Sequence, residues 1–375
     1  MIARTMLAMP PDPSPNQIGE RPRPGILLYG MYDLRALNRA PTVRISLMAG
    51  ALERQVHTER IVGGRLGRST AGLRWLLGGG PRRIRAVYVE SPTSSAMPTD
   101  LAFLLLMRLL GRHVGVYFRD AYQLFRDLFP RTRRQILSDL AWRLTTPMLK
   151  RIASVQYAPS TGLARVLGLK NAVLLPPGTD PSLPDLGLGE PDVVAAVVSV
   201  VARSGFDSLA EAMTLVRRRR PAARLRVVAR AVERERAASL PDWVEVQSGD
   251  RGGLADVLRQ ARVCVLPLPV TPYTDLAVAV RLVDFLAFGK PIVATDTLES
   301  RALLEASGAG LVAEDTPQGL ADAILRLLED EALAARCAAN ARAYAVAPDN
   351  GWDARAHTVL ESLGVAADPR VEGRA

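Results

Sequence analysis

Cysteine and histidine are scarce in this chain, which limits the chemistry that it can support. Among 375 residues there are two cysteines and three histidines. Cys264 and Cys337 fall in a strand-like and a helix-like segment, so neither a disulfide framework nor a zinc site is indicated. His57, His113 and His357 stand far apart, and no Ser-His-Asp or Cys-His motif accompanies them. We therefore expect a protein of the reducing cytoplasm without a bound metal.

Long hydrophobic runs are also lacking. The most apolar run, from Leu101 to Leu110, is interrupted by Arg108 and stops at Gly111, whereas a membrane-spanning helix needs about 20 residues. Residues 1–24 have no sustained apolar core of the kind found in signal peptides, and we interpret them as a disordered leader. The sequence thus predicts a cytoplasmic protein, soluble or bound peripherally at the inner face of the plasma membrane.

Lysine occurs only at Lys150, Lys170 and Lys290, so arginine carries most of the positive charge. Up to Asp185 the chain has 26 Lys and Arg against 12 Asp and Glu, a net charge of +14. The remainder has 22 against 26, a net charge of −4. A basic half of this kind is typical of proteins that meet nucleic acid, an anionic lipid surface or an anionic substrate.

The segment from Arg131 to Ile152 combines this basicity with apolar residues at helical spacing. Such a basic amphipathic pattern is typical of helices that lie on membrane surfaces, although a domain helix with a solvated basic face gives the same pattern. Nucleic acid is disfavoured, because no helix-turn-helix, zinc or aromatic-platform motif accompanies the charge. Of these partners, we predict an anionic membrane surface.

What the chain does contain is a repeated alternation of strand-like and helical segments. Six strand-like runs lie on each side of a segment rich in proline. This pattern predicts two α/β domains, each a doubly wound, Rossmann-like parallel sheet. We place them at residues 25–177 and 192–350, joined by a linker at 178–191, with a ligand in the cleft between them. Residues 351–375 are predicted to form a helix and a tail, the helix packing back on the first domain.

One stretch, from Val263 to Thr295, has the form of a complete βαβ unit. A strand and a polar loop precede a helix predicted over Leu276 to Phe288, and Gly-Lys-Pro leads into the next strand. Phosphate groups bind at such loops, where strand ends meet helix N-termini. Arg281 and Asp284 are three residues apart and therefore share one face of the helix. They form either a surface ion pair or part of a binding site.

Two strand ends offer further candidates for chemistry. In VVSVVARSGFDS, Arg203 and Ser204 occupy a strand-to-helix turn that can bind phosphate, or that is an ordinary turn with a solvated arginine. In HVGVYFRDAY, Asp120 ends a strand beside Arg119 and Tyr122. A carboxylate in that place is a candidate base or substrate orienter, and an N-cap is the alternative.

The first strand and helix supply two weaker candidates on the same side of the predicted cleft. Gly30 ends the first strand, as glycine does in many α/β domains. Arg44 lies on the following helix and either contacts an anionic ligand or is simply exposed.

With these parts in place, the second half resembles the nucleotide-sugar domain of GT-B glycosyltransferases of the family 4-like type, also described as glycosyl transferases group 1. The matching residues are TDLAVAVRLVDFLAFGKPIVATD and the segment beyond Glu299. The run from Asp275 to Ala277 matches the start of the family motif, Arg281 takes its lysine place and Asp284 its acidic place. The resemblance covers about Val193 to Leu363.

The resemblance implies a donor site for a nucleoside diphosphate sugar. Asp284 would bind the ribose, backbone N–H groups near Ala277 and Val278 would hold the diphosphate, and Arg203 and Arg281 would neutralise it. The implied donor-side residues also include Ser204, Tyr273, Asp275 and Leu276. Many relatives carry a sugar-contacting glutamate at the place of Leu276, so this chain departs from them there.

The implied activity is transfer of a hexose-type sugar, without a metal and with retention of configuration, to a saccharide or lipid-linked acceptor in bacterial cell-envelope polysaccharide or glycolipid synthesis. The first half would bind the acceptor, with Asp120 as the catalytic residue and Gly30, Arg44, Arg119 and Tyr122 around it. No cofactor is expected besides the donor substrate. The alternatives are a nucleotide-sugar epimerase on the same fold and a catalytically silent nucleotide-sugar-binding protein.

Overall fold

Two parallel sheets of six strands organise the protein. The computed structural model describes residues 24–32, 40–129, 132–200, 205–229, 240–248 and 251–367. Within these ranges, no helix combines the length and the apolar character that crossing a membrane requires. The alternation of strands and helices confirms the predicted α/β class.

The first domain contains six strands and five α-helices of the described chain. They are β1 (Gly25–Gly30), α1 (Ala40–Glu53), β2 (Thr58–Val62), α2 (Arg65–Leu77), β3 (Ile84–Glu90), α3 (Pro98–Leu109), β4 (His113–Tyr117), α4 (Arg133–Ile152), β5 (Val155–Ala158), α5 (Thr161–Val166) and β6 (Val173–Leu174). Short 3₁₀ turns occur at Gly80–Arg83 and Tyr122–Leu124. The strand order is β2-β1-β3-β4-β5-β6, so the winding direction reverses between β1 and β3.

The second domain repeats this plan with a different strand order. Its elements are β7 (Val193–Val197), α6 (Phe206–Arg219), β8 (Arg224–Ala229), β9 (Val244–Ser248), α7 (Arg251–Gln260), β10 (Val263–Leu266), α8 (Val280–Ala287), β11 (Ile292–Thr295), α9 (Leu298–Ser307), β12 (Gly310–Ala313), α10 (Pro317–Glu329) and α11 (Glu331–Val346). The order β12-β11-β10-β7-β8-β9 reverses between β7 and β10. In open α/β sheets, ligands bind outside the carboxyl ends of the strands at such a reversal.

The central strands are apolar throughout because helices cover both faces of each sheet. All residues of β1, β10 and β11 are buried. In the first domain, α2, α3, α4 and α5 pack on one face of the sheet and α1 on the other. The loops at the carboxyl edges are therefore held between rigid layers.

The last helix, α12 (Trp352–Ser362), belongs to the core of the first domain. Trp352, Val359 and Leu360 pack with α1 in the layer beneath the first sheet. An exposed ion pair between Arg54 Nη2 and Asp353 Oδ1, 2.6 Å apart, joins α1 to α12. The chain thus crosses between the domains twice, once before β7 and once after α11.

The helix predicted to begin at Leu276 begins instead at Val280, as α8. A 3₁₀ turn at Thr274–Leu276 precedes it, and Ala277 and Ala279 are extended. The prediction was wrong here because Leu276 is bound by the other domain: its side chain joins the first core and its carbonyl accepts a hydrogen bond from Ser160 Oγ at 2.8 Å. Helical periodicity could not reveal that contact.

Candidate functional site

The reversal point of the second sheet brings the turn after β7 against the end of β10. Gly205 has φ of 80°, and a Cβ atom there would lie 1.5 Å from the carbonyl oxygen of Pro267. Only glycine fits this approach. Arg203 and Ser204, predicted to bind phosphate in this turn, lie outside the described residues, and their roles stay predictions.

Arg281 and Asp284 lie on α8, beside this reversal point. Arg281 Nη1 donates a hydrogen bond to the carbonyl oxygen of Val197, the last residue of β7. Asp284 follows one helical turn later on the same face, and both residues are half-buried. The structure therefore brings the predicted cation and carboxylate to the edge where α/β sheets bind ligands.

The loop before α8, where diphosphate binding was expected, makes contacts within the protein. Asp275 Oδ1 accepts a hydrogen bond from the N–H of Leu298 at 3.0 Å and so caps the start of α9. Leu276 is buried against the first domain. The N–H of Ala277 donates to the carbonyl oxygen of Thr274 at 3.1 Å. These contacts hold the loop in place, and the roles of the three residues at the donor stay predictions.

Val278 lines a cavity of about 270 Å³ between the domains. Thr161 of the first domain, Glu299 and Arg355 are among its other lining residues. Burial raises the pKa of the Glu299 carboxyl, and a hydrogen bond involving Ser160 acts in the opposite direction. Glu299 was visible in the sequence only as part of the resemblance, since its partner Ser160 lies more than 130 residues earlier.

Asp120 and Tyr273 meet across the cleft. The hydroxyl of Tyr273 donates to Asp120 Oδ1 at 3.2 Å, and the N–H of Tyr122 donates to the same oxygen at 3.3 Å. Burial raises the pKa of the Asp120 carboxyl, while the Tyr122 N–H, Arg119 and the Tyr273 hydroxyl act in the opposite direction. Burial and this carboxyl also raise the pKa of Tyr273, so its hydroxyl remains a donor.

An aromatic cluster surrounds this contact. Phe125 and Phe129 present ring edges to Tyr273, with centroids 5.6 and 5.0 Å away, and Tyr122 lies 6.1 Å from Phe129. Edge-to-face pairs of this kind are favourable beyond the area that they bury. The cluster thus packs around Tyr273 where its hydroxyl meets Asp120.

Arg44 and Gly30 belong to the core of the first domain, which contradicts the expectation that they face an acceptor. Arg44 is 2% exposed, its Nε lies 3.2 Å from Glu90 Oε1, and its guanidinium stacks 3.7 Å from the ring centre of Tyr117. Gly30 is buried, and a Cβ there would meet Val62 at 3.0 Å. Gly30 was chosen from its place at a strand end and Arg44 from its place on the following helix, and neither place distinguishes an outward from an inward direction.

Arg119 lies closer to the cleft but shares the same carboxylate. Its Nη2 is 2.8 Å from Glu90 Oε2, and its guanidinium lies 4.9 Å from the ring centre of Tyr32. Glu90 also accepts a hydrogen bond from the hydroxyl of Tyr88 at 2.8 Å. Glu90, at the end of β3, therefore joins Arg44, Arg119 and Tyr88 at this edge of the sheet, and no motif in the sequence indicated it.

A pocket of about 300 Å³ opens at the reversal point of the first sheet. Its walls combine aromatic hydroxyls, a turn of two glycines, an arginine and aliphatic hydroxyls: Tyr32, Gly63, Gly64, Arg65, Thr93, Ser94, Ser95 and Tyr122 are among the lining residues. Below it, Arg68 pairs with the buried Asp100 through two contacts of 2.8 and 2.7 Å. Of these residues only Tyr122 was predicted. The sequence signal for the others was their position directly after β1, β2 and β3.

Comparisons with known proteins agree with this architecture. Residues 191–330 match the family described as glycosyl transferases group 1. The chain is similar to a sucrose-phosphate synthase from Thermosynechococcus elongatus, with 16% identity and a TM-score of 0.62, over 90% of this chain and 98% of that one. It is similar to HepE from Anabaena in complex with UDP, with 15% identity and a TM-score of 0.62, over 91% and 99%.

A third similar structure is WaaG, a glycosyltransferase involved in lipopolysaccharide biosynthesis, with 14% identity and a TM-score of 0.61, over 89% of this chain and 99% of that one. A search of curated protein sequences found no match. At these identities the likeness shows the fold, and that fold is GT-B. The predicted fold class is confirmed, and the match of the second domain to group 1 confirms the resemblance.

Proposed function

We propose that this protein, whose second domain is a group 1 glycosyltransferase domain on the GT-B fold, moves a hexose-type sugar from a nucleoside diphosphate sugar to a saccharide or lipid-linked acceptor. The second domain binds the donor and the first domain binds the acceptor. The reaction belongs, in this proposal, to the synthesis of a cell-envelope polysaccharide or glycolipid.

The observation that carries the proposal is the position of Arg281. Its hydrogen bond to Val197 places a cation at the reversal point of the second sheet. A diphosphate there gains charge-assisted hydrogen bonds, which are roughly twice as strong as neutral ones. Asp284, one turn further along α8, is then in place for the hydroxyl groups of the ribose.

On the opposite side, the pocket beside Tyr122 suits an acceptor rich in hydroxyl groups. Tyr32, Thr93 and Ser94 provide donors and acceptors for hydrogen bonds, and Arg65 provides a positive charge. Asp120 lies next to this pocket in the chain and in space, since the N–H of Tyr122 donates to it. In the proposed reaction its carboxylate accepts a hydrogen bond from the attacking hydroxyl of the acceptor and orients it.

The test of the donor site is a thermal-unfolding screen with UDP-, GDP- and dTDP-sugars at millimolar concentration. A ligand that binds only the folded protein, at about 100 times its Kd, adds about 2.7 kcal/mol of stability. We expect one nucleotide class to raise Tm, and Asp284→Ala to reduce that shift. Asp322→Ala, an exposed carboxylate on α10, is the matched control and should leave the shift unchanged.

Absence of a Tm shift with every nucleotide sugar would refute the donor site. Transfer itself is tested by release of free nucleoside diphosphate that depends on an added acceptor. An epimerase would convert the donor without an acceptor, and a silent binding protein would release nothing. Either result would replace the proposed activity while keeping the site.

Metal independence and retention of configuration are parts of the proposal with separate tests. Activity should persist in excess EDTA, because arginines are proposed to neutralise the leaving diphosphate. The anomeric configuration of the product reports how the acceptor attacks. Retention fits Asp120 as an orienting group, whereas inversion would make it the general base for attack from the opposite face.

A further inference from the structure

Exposed apolar side chains follow α4 from Ile136 to Met148. Five large apolar side chains are exposed there, including Leu137 at 70%: Ile136, Leu137, Leu140, Leu144 and Met148. Trp142 and Leu149, on the opposite side of the helix, fill the core of the first domain. The helix thus has apolar residues on both sides. Those on the outer side do not contribute to the core of the first domain.

The same feature continues across the two helices beside it. α3 packs between α2 and α4 in the layer on one face of the first sheet. Exposed leucines extend over both: Leu66, Leu73 and Leu77 on α2, and Leu105, Leu109 and Leu110 at the end of α3. Exposed apolar side chains that extend over several neighbouring helices mark sites of interaction with a protein or a membrane.

The charges on this three-helix face have one sign. The exposed arginines of the three helices are Arg65, Arg74, Arg108, Arg133, Arg143 and Arg151. The only acids in these helices are Asp100 and Asp139, and both are buried. The partner of the face must therefore be apolar in its interior and negatively charged at its surface.

We propose that the outer face of α2, α3 and α4 docks on an anionic lipid bilayer. A bilayer supplies acyl chains for the leucines and anionic headgroups for the arginines, as interfacial amphipathic helices require. A second copy of this chain fits less well, because two such faces would place arginines against arginines. Residues 1–23 carry three arginines against two acids, so they offer no net negative charge either.

The position of the face relative to the acceptor pocket adds a functional consequence. Arg65, the first residue of α2, lines the pocket, and the next residue, Leu66, is 82% exposed. A protein docked through this face would hold the pocket beside the headgroup layer. This geometry favours an acceptor anchored in the membrane, although the docking itself does not depend on the proposed activity.

The test is flotation of the full-length protein with two kinds of vesicle, pure phosphatidylcholine and phosphatidylcholine with one quarter phosphatidylglycerol. We expect binding to the anionic vesicles only, weakening as salt shortens the Debye length from about 10 Å at 0.1 M to about 3 Å at 1 M. Equal binding to both compositions, or to neither, would overturn the proposal.

Two variants separate the apolar and the electrostatic contributions. Leu137→Ser with Leu144→Ser should lower the partition coefficient by about ten-fold or more, because each leucine loses its burial among acyl chains. Arg143→Gln with Arg151→Gln should lower it by about five-fold for each arginine. All four side chains are exposed, so far-ultraviolet circular dichroism and Tm should match the wild type.

Matched controls lie in the second domain. Leu298→Ser removes an exposed leucine, and Arg218→Gln with Arg336→Gln removes two exposed arginines. These controls should bind vesicles as the wild type does. Vesicle binding that survives the α4 variants, or a wild-type dimer in light scattering that the same variants convert to a monomer, would refute docking of this face on lipid.

Discussion

The two domains share one architecture but stabilise buried charge in different ways. In the first domain, carboxylates are buried and paired with arginines: Glu90 with Arg44 and Arg119, and Asp100 with Arg68. In the described part of the second domain no carboxylate is buried to that degree. Its fully buried Lys290 donates instead to the carbonyl oxygens of Gly187 and Ala261, at 2.8 and 3.0 Å.

This difference determines where each domain keeps the groups that can act on a ligand. In the first domain, Glu90 ends β3 and Asp100 lies on α3, and the pocket beside them is assembled from the loops that follow β1, β2 and β3. In the second domain, Arg281 and Asp284 lie on one helix and form a linear motif. A fixed ion-pair scaffold therefore supports the proposed acceptor side, and a single helix supports the proposed donor side.

The largest effect should come from Asp120, the catalytic residue of the proposed reaction. Asp120→Asn should lower turnover by about 10²–10⁴-fold, the usual contribution of a positioned acid–base group. Binding of the donor should stay near normal, because that site lies in the other domain. Turnover and donor Kd are measured separately, with the exposed Asp127→Asn as the control. Full turnover in Asp120→Asn would remove its catalytic role.

Next in size is the effect of removing the negative charge of Glu90 at the carboxyl edge of the first sheet. Glu90→Gln leaves the buried Arg44 and the partly buried Arg119 without their carboxylate, and breaking a buried pair costs about 3–5 kcal/mol of folding free energy. Glu53→Gln, which breaks the partly exposed pair with Arg60, should cost about 1 kcal/mol at most. Chemical denaturation of both variants compares the two values. Similar losses of folding free energy in the two variants would mean that the buried ion pairs of Glu90 stabilise the fold no more than an exposed pair does.

A smaller loss is expected for Lys290→Met in the second domain. Hydrogen bonds from a charged donor contribute about 1.5–3 kcal/mol, and the apolar replacement also removes the cost of burying the charge. Burial lowers the pKa of Lys290 below its ordinary 10.5, so above the lowered pKa the folded protein binds fewer protons than the unfolded chain. Wild-type stability therefore gains as pH rises through that window, and the variant should lack this gain in denaturation at pH 8–11. If Lys290→Met lost more folding free energy than Glu90→Gln, the buried charge of the second domain would stabilise the fold more than that of the first.

The same contrast explains how much the sequence could predict. The twelve strands and the motif around Arg281 follow from local patterns, since periodicity and an i, i+3 pair depend on neighbours in the chain. Asp120 was chosen because it follows a strand whose carboxyl end should face the cleft; the structure places it three residues after β4, and its catalytic role stays a prediction. The pocket around Arg65 and Ser94 was missed, because its members follow three different strands and nothing in one sequence shows which loops meet.

The errors have a common physical cause. Arg44 looked like a ligand contact because nothing in its neighbourhood shows Glu90, which is 46 residues away. Leu276 and Ala277 looked helical because only the contact with Ser160 interrupts the pattern. Each mistake concerns a polar or apolar group satisfied by a partner distant in sequence. Such partners are set by topology, and local propensity carries no information about them.

The smallest expected effect tests whether the two domains act on each other. Tyr273→Phe removes the hydroxyl that donates to Asp120 from across the cleft and keeps the ring that packs on Phe125 and Phe129. The lost hydrogen bond favoured the charged carboxylate, so the pKa of Asp120 should rise further. In the proposed reaction Asp120 acts deprotonated, so activity should be lost as pH falls through this pKa. The acidic limb of kcat/KM should move to higher pH, with a reduction of about 2–10-fold below the new limb and none above it.

The double variant Asp120→Asn, Tyr273→Phe is the control, because a chain without the carboxylate has no limb for the hydroxyl to move. If the limb stays in place in Tyr273→Phe alone, the donor-side loop does not tune the acid and each domain sets its own chemistry. If it moves, contact with the second domain keeps the pKa of Asp120 lower than the first domain alone would set it. In that case the acceptor side of the first domain and the donor side of the second domain form a single functional site.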